Sequence, residues 1–285
     1  MRKIIQSLLL LALAVALLAG CDKHEPSESS SKSSQVVATP AYQKYFGAAP
    51  SVDKGTAYAF VIYFPSSKDP GKVVPFPFFT FDQQSMQKVA IERLLSGMDV
   101  GSYRGEFTPF PVGSRLISIT DDKGTVTANF SKEFESAAAP VATAVSLTLR
   151  QYIGAKAVRL QVEGKDSALS SVAKNADDTA VQQPSPPRLL SVTAMRDKGA
   201  SDVEEVNAFF DRPVEVKELT LLSEDGKPFQ GDIYHSVFDM AAVLKPKDPS
   251  QFKTGLPIKV RWKVVDKLGR QAEGDQVWPL EIKEH

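Results

Sequence analysis

Residues 115–165 run two strand patterns, a tight turn, an amphipathic helix pattern and a return strand in unbroken succession, which is enough to centre one α+β domain. Residues 115–120 (Arg-Leu-Ile-Ser-Ile-Thr) and 125–130 (Thr-Val-Thr-Ala-Asn-Phe) are rich in β-branched side chains. Asp121, Asp122, Lys123 and Gly124 between them supply turn chemistry, with a glycine for positive φ. The pattern predicts a hairpin. Phe134, Ala138, Val141, Val145, Leu149 and Tyr152 then recur at steps of three and four, one face of a helix that ends at Gly154 and carries Pro140 in its first turn. Residues 157–162 (Ala-Val-Arg-Leu-Gln-Val) alternate before Glu163, Gly164 and Lys165 turn the chain away, so the helix has a sheet to cover.

The N-terminus follows a different logic. Arg2 and Lys3 precede an apolar run over residues 8–18, too short to span a bilayer as a mature helix, and Leu18, Ala19 and Gly20 lead into Cys21. This predicts a signal peptide over 1–20 and resembles the lipobox of bacterial lipoproteins, with Cys21 as the lipidation site and the membrane as a partner through it. The expected location is therefore exported and lipid-anchored to the cell membrane. Asp22 resembles the retention signal for the inner membrane, facing the periplasm, in envelopes with two membranes. Cys21 is the only cysteine, so once acylated it leaves no thiol for catalysis, metal binding or a disulfide. Residues 21–53 open with low-complexity Ser, Glu and Lys and are expected to form a disordered tether reaching about 30 Å, with Tyr42, Tyr45 and Phe46 as its aromatics.

The chain has 34 basic and 34 acidic residues and no basic run, which argues against nucleic acid as a partner. The length remaining after the signal suits two domains. The first, 54–165, opens with an apolar strand at 56–64 and a second at 73–81 that Pro75 and Pro77 push to a sheet edge. The rings of Phe76, Phe78, Phe79 and Phe81 suit either a core or an exposed solute-capturing surface, the core being the commoner use. Asp82 is placed to N-cap a helix that uses Met86, Val89, Ala90, Leu94 and Leu95 and closes at Gly97, before a loop over 98–113.

Several of these pieces occur in the order of a known family. Leu94-Leu-Ser-Gly97, Phe110-Pro-Val-Gly-Ser-Arg-Leu116, Lys123-Gly-Thr-Val126, Asn129-Phe-Ser131, Ser146-Leu-Thr-Leu149 and Val158-Arg-Leu-Gln-Val-Glu-Gly-Lys165 resemble the GerMN domain of sporulation and spore-germination proteins. The resemblance implies a small α+β module, similar to ring-building modules of envelope assemblies, carried on membrane-anchored proteins and not known for a catalytic centre. Sporulation members often carry two such modules; this chain contains one.

Residues 166–187 are small, polar and end proline-rich, and are expected to form a linker. Strand-like runs follow at 188–194, 206–210, 218–222, 231–237, 241–244, 258–265 and 277–282, with turn signals between them. They predict an all-β immunoglobulin-like sandwich over 188–285, with Trp262 packed between its sheets. Phe209-Phe-Asp-Arg-Pro-Val214, Asp225-Gly226 and residues 259–269 resemble bacterial Ig-like domains of surface proteins and copper-resistance carriers. The carriers' early histidines are missing here, so copper binding does not follow.

Histidine occurs at 24, 235 and 285. Asp232, His235 and Asp239 are close enough in sequence to suggest a metal site, but on a strand Asp232 and His235 point to opposite faces. No serine sits in a nucleophile-elbow glycine pattern, and there is no phosphate-binding glycine loop or zinc spacing. Asp121, Asp122, Glu133 and Glu135 form the nearest carboxylate cluster. Two belong to a turn, and two flank a helix start, where they favour its dipole. The sequence thus predicts no catalytic residue, no metal and no cofactor. It points to a non-enzymatic envelope lipoprotein that contacts envelope proteins or itself through the GerMN-like domain, with peptidoglycan as a further candidate. The alternative is a glycan-binding or glycan-cleaving protein with carboxylates between the domains.

Overall fold

Strand β1 (Gln35–Ala38) and helix α1 (Pro40–Phe46) occupy a stretch expected to be tether. The computed structural model describes residues 34–285; Cys21, the signal peptide and His24 lie outside the described residues. The Thr39 hydroxyl caps α1 by accepting from the Tyr42 N–H at 3.2 Å, and Pro40 starts the helix where no donor is needed. Tyr42, Tyr45 and Phe46 are at most 3% exposed. The segment is a structural part of the first lobe, which corrects the expected tether over 21–53 from Gln35 onward. Seven helical residues are too few for a periodic signal, which is why composition misled.

β1 pairs in parallel with β2 (Thr56–Pro65), which pairs antiparallel with β3 (Val73–Thr80), so β3 lies at an edge of the sheet β1-β2-β3 as its prolines predict. Helix α2 (Met86–Ser96) follows. Its N-cap position is Ser85 without a side-chain cap; Asp82 instead accepts from the Gln84 N–H, one turn too early, which corrects the expected cap. Next come β4 (Leu116–Asp122) and β5 (Thr125–Phe130), antiparallel across Lys123 and Gly124, both at positive φ. Helix α3 (Ala139–Arg150) then returns the chain to β6 (Ala157–Val162), parallel to β5. Strand β7 (Lys165–Asp166) and helix α4 (Ser170–Asn175) complete the lobe, with sheet order β4-β5-β6-β7.

α3 is buried more completely than a one-faced helix would be: every residue from Val141 to Leu149 except Thr143 is buried. One side meets β2 and β6, and on another the Ser146 hydroxyl donates to the Ala173 carbonyl of α4 at 2.6 Å. Ala138, expected on the apolar face, is an exposed N-cap, and the helix stops at Arg150 rather than Gly154. Residues 166–181, read as linker, thereby belong to the first core: Ala173, Ala176 and Val181 are buried in it and the Gln182 N–H donates to the Val73 carbonyl.

The second lobe contains β8 (Leu189–Arg196), β9 (Glu205–Phe210), β10 (Val214–Leu222), β11 (Gly231–His235), β12 (Ala241–Pro246), β13 (Pro257–Asp266), β14 (Gln271–Pro279) and β15 (Glu281–Glu284). Sheets β10-β13-β14 and β11-β12-β9-β8-β15 face each other across a core of their own. The described chain is therefore an α+β lobe followed by a β-sandwich. β13 alternates buried and outward residues along its length, and Trp262 lies between the sheets, edge-on to Phe210 at 5.4 Å. The single last strand expected at 277–282 is two strands in different sheets, joined at buried Leu280.

Candidate functional site

The two lobes meet through ionic side chains that are almost wholly enclosed. Asp211 and Arg212, each 2% exposed, follow directly on β9, where the chain leaves the sheet facing the first lobe. The Arg212 guanidinium donates to both Asp211 oxygens, from Nε at 3.0 Å and Nη2 at 2.9 Å. Asp211 also accepts the Arg188 N–H at 3.1 Å and, from the first lobe, the Tyr103 hydroxyl at 2.7 Å. Four donors on one carboxylate leave it no spare strong acceptor position, which is the condition for burying a charge without heavy loss. On the other side Arg212 approaches Asp266 at 3.6 Å, and Asp266 accepts from Arg270 Nε at 2.6 Å. Arg270 continues across the junction, donating to the Tyr45 carbonyl at 2.8 Å and the Pro184 carbonyl at 3.3 Å.

The first lobe closes over these charges with aromatic rings and a tight backbone approach. Arg212 lies 5.6 Å from the Phe46 ring and Arg188 4.4 Å from the Tyr103 ring. Tyr103 is carried by a 3-10 turn, Gly101–Tyr103, pressed against β8. A Cβ on Gly101, whose φ is +53°, would stand 1.8 Å from the Leu190 carbonyl oxygen, so only glycine allows this approach. Arg188 reaches Glu106 at 3.0 Å, and Glu106 also takes Lys68 at 2.9 Å. Burial pushes the Tyr103 hydroxyl well above its usual range, and the neighbouring Asp211 charge adds to the rise. For Arg212 burial is the largest single influence and works downward, but the charge and hydrogen bonds of Asp211, with Tyr103 and Asp266, together outweigh it and the guanidinium is held more firmly protonated. Burial raises Glu106, and the bonds from Lys68 and Arg188 more than reverse it, leaving its carboxyl below the ordinary range.

Beside this junction runs a cleft of about 380 Å³ whose walls come from both lobes, including Phe79 of β3, Met98 and Val100 of the following loop, Leu190 of β8 and Phe238 and Met240 of the β11–β12 connection. Phe79 and Phe238 stack face to face, 4.3 Å between centroids and 8° between planes. Of the expected aromatic surface, Phe76 is buried in the first core, Phe78 and Phe79 are half-buried, and Phe81 alone is largely exposed, at 57%.

The other expected candidates are scattered. His235 is exposed on β11 and Asp239 pairs with Lys267 at 3.4 Å; among the described residues no group of three or more His, Cys, Asp or Glu could hold a metal. Asp121 accepts the Gly124 N–H at 2.8 Å in the hairpin turn. Glu133 is held ionised first by its bond from Ser131, and Asp122 and Glu135 are exposed. None of these carboxylates lines the interlobe cleft; Asp211 is the carboxylate there, and it is taken up by its own partners. Sequence reading missed Tyr103, Arg188, Asp211, Arg212, Asp266 and Arg270. A visible signal was the adjacent Asp211-Arg212 pair closing an apolar strand, a place where exposed charges have no packing reason to sit.

Residues 61–168 match the Germane family model, described as sporulation and spore germination. The first lobe contains a GerMN-like domain. Around the matched segment, β1, α1 and α4 add to the GerMN-like core. Among solved structures, the first GerMN domain of the sporulation protein GerM from Bacillus subtilis is similar at 23% identity, over 38% of this chain and 84% of that one, with a TM-score of 0.32. The tandem GerMN domains of the same protein are similar at 18% identity, over 61% and 58%, with a TM-score of 0.33. CopC from Methylosinus trichosporium OB3b is similar at 16% identity, over 33% and 89%, with a TM-score of 0.23. No curated protein matches the chain. Among the described residues, no helix is long and apolar enough to cross a membrane.

Proposed function

We propose that this protein is an exported, non-enzymatic lipoprotein, attached to the cell membrane through acylated Cys21, whose GerMN-like lobe and β-sandwich act together as one module for contacts with envelope proteins or with further copies of itself. The observation that carries the reading is the ionic junction. It spends the chain's enclosed charges on holding two lobes in one arrangement, which favours a surface that must keep its shape over one that performs proton transfer. The family match supports the non-enzymatic part. The lipobox-like run into Cys21 supports the anchor, and peptidoglycan is a further candidate contact. The hairpin offers one contact surface: β4 is a sheet-edge strand, mostly exposed, with Ile117 half out of the protein.

In-cell crosslinking of the full-length protein, followed by mass spectrometry of the membrane fraction, tests the reading. Enrichment of envelope proteins or of crosslinked copies of this chain is expected, together with release from membranes on Cys21→Ser. Retention of the Cys21→Ser protein on membranes would remove the anchor, and crosslinks to neither class of protein would remove the contact role.

A further inference from the structure

The interlobe cleft has the chemistry of a ligand site. Its twelve lining residues include no neutral hydrogen-bonding side chain: the walls are phenyl rings, thioethers, aliphatic groups and glycine, with two charged residues. One of these, Asp211, is already occupied by Tyr103, Arg188 and Arg212. The other is Arg93 in the last turn of α2, exposed, and it makes no salt bridge or side-chain hydrogen bond among the described residues. An extended peptide laid here would find no side chain to satisfy its backbone groups, whereas a hydrocarbon chain needs none. The lone unpaired charge calls for an anion at one end of that chain.

Two further features show that the site is built. Phe238 and Asp239 both hold left-handed backbone, with φ of 64° and 53°, which non-glycine residues adopt only at a cost in energy. That conformation aims the Phe238 ring across the gap onto Phe79, so the strain maintains the roof of the cleft. Phe81, Val100 and Val237, at 57%, 49% and 63% exposure, continue the apolar surface outward along the same connections. The volume lies in the range of small-molecule sites, and the place, between two lobes, is where such sites concentrate.

We propose that this cleft binds a single-chain anionic amphiphile, with the hydrocarbon chain between Phe79, Met98, Leu190, Phe238 and Met240 and the anionic head at Arg93. The two methionines supply walls that adapt to a flexible chain. Head chemistry is read here only as negative charge, so a fatty carboxylate and a lysophospholipid phosphate are two sources of one ligand class. This activity goes beyond the partner contacts proposed above and does not depend on them.

Titration calorimetry on the full chain carrying Cys21→Ser, which has no acyl group of its own at that position to compete, tests the proposal with monomeric decanoate, decanol and decyltrimethylammonium. Decanoate is expected to bind at one site and more tightly than the other two. Dodecanoate should bind about a hundredfold more tightly than octanoate, that is, about tenfold per two methylene groups. Arg93→Gln should weaken decanoate about tenfold and leave decanol within twofold. Met98→Trp, which fills the cleft from a loop, should abolish both. Decyl phosphate and lysophosphatidic acid, run beside decanoate, separate the two sources of the head group. Absence of saturable decanoate binding, equal binding of the cationic analogue, indifference to Arg93→Gln, or undiminished binding by Met98→Trp would each overturn the proposal.

Discussion

Two of the places where polar groups are buried among the described residues solve the problem differently. Within the first lobe, β3 meets β2 through Pro75 and Pro77, which cannot donate, so their partners Tyr63 and Val61 turn their N–H groups to the far side of β2. No strand lies there, because β1 covers only Thr56 to Ala59. The neutral side chains at the end of α3 take its place: Gln151 accepts the Val61 N–H at 2.8 Å and donates back to its carbonyl, and Thr148 accepts the Tyr63 N–H at 3.2 Å. At the lobe junction the same problem is met with full charges, Asp211 and Asp266 against Arg212 and Arg270. A neutral amide completes a sheet at little desolvation cost. An ion network is costly to bury but fails sharply when one member is lost, so it discriminates strongly between the docked arrangement and any other.

That difference sets the expected effects. Asp211→Ala strips Arg212 and Tyr103 of their shared acceptor and should cost about 3–5 kcal/mol, read by chemical denaturation; a loss under 1 kcal/mol would mean that the junction charges are not the lock described here. Gly101→Val drives a side chain into the Leu190 carbonyl from a left-handed residue and should cost about 2–4 kcal/mol. Gly105, also at positive φ but with open space around it, is the control: Gly105→Val should show the backbone cost without the clash. Gln151→Ala leaves both polar groups of Val61 without partners and should cost about 1–3 kcal/mol; a cost equal to that of Asp211→Ala would erase the contrast between the two places. The last effect is that of alkali, and it grows with pH. Tyr103 at the junction and Tyr42, Tyr63 and Tyr152 in the first core all have hydroxyls raised above their unfolded value, mainly by burial. Their neutral forms favour the fold in full below about pH 10, and that contribution is lost as pH rises from there through the folded values. Melting temperatures should therefore fall above about pH 10, and less so at the junction's share in Tyr103→Phe.

Local patterns were legible where one or two turns of chain carry their own reason. The hairpin around Lys123-Gly124, the alternation of β6 and β13, the edge position of a strand with two prolines and the inward Trp262 all follow from rules acting over a few residues. The segment holding α1 carries no such reason, because three aromatic residues in a polar stretch suit a tether as well as a core, and composition does not say what is nearby. The segment holding α4 resembles a linker for the same reason: Ala173 and Ala176 are too small to advertise burial, yet both are buried in the first core. The cleft was half legible, since Phe76 to Phe81 stood out in sequence while Phe238, about 160 residues further on by the numbering, did not.

The sequence by itself determined most of the strands, the hairpin turn, the order of an α+β lobe before a sandwich and the resemblance to the GerMN family, because each rests on periodicity, turn residues or ordered short motifs. Only the tertiary structure decided that Asp211 and Asp266 face Arg212 and Arg270, that Gln151 stands in for a strand, and that two lobes enclose an apolar cleft with Arg93, unpaired among the described residues, at its edge. A charged residue reads as solvent-exposed until something folds over it, and what folds over Asp211 is Tyr103, carried by a loop 108 residues away.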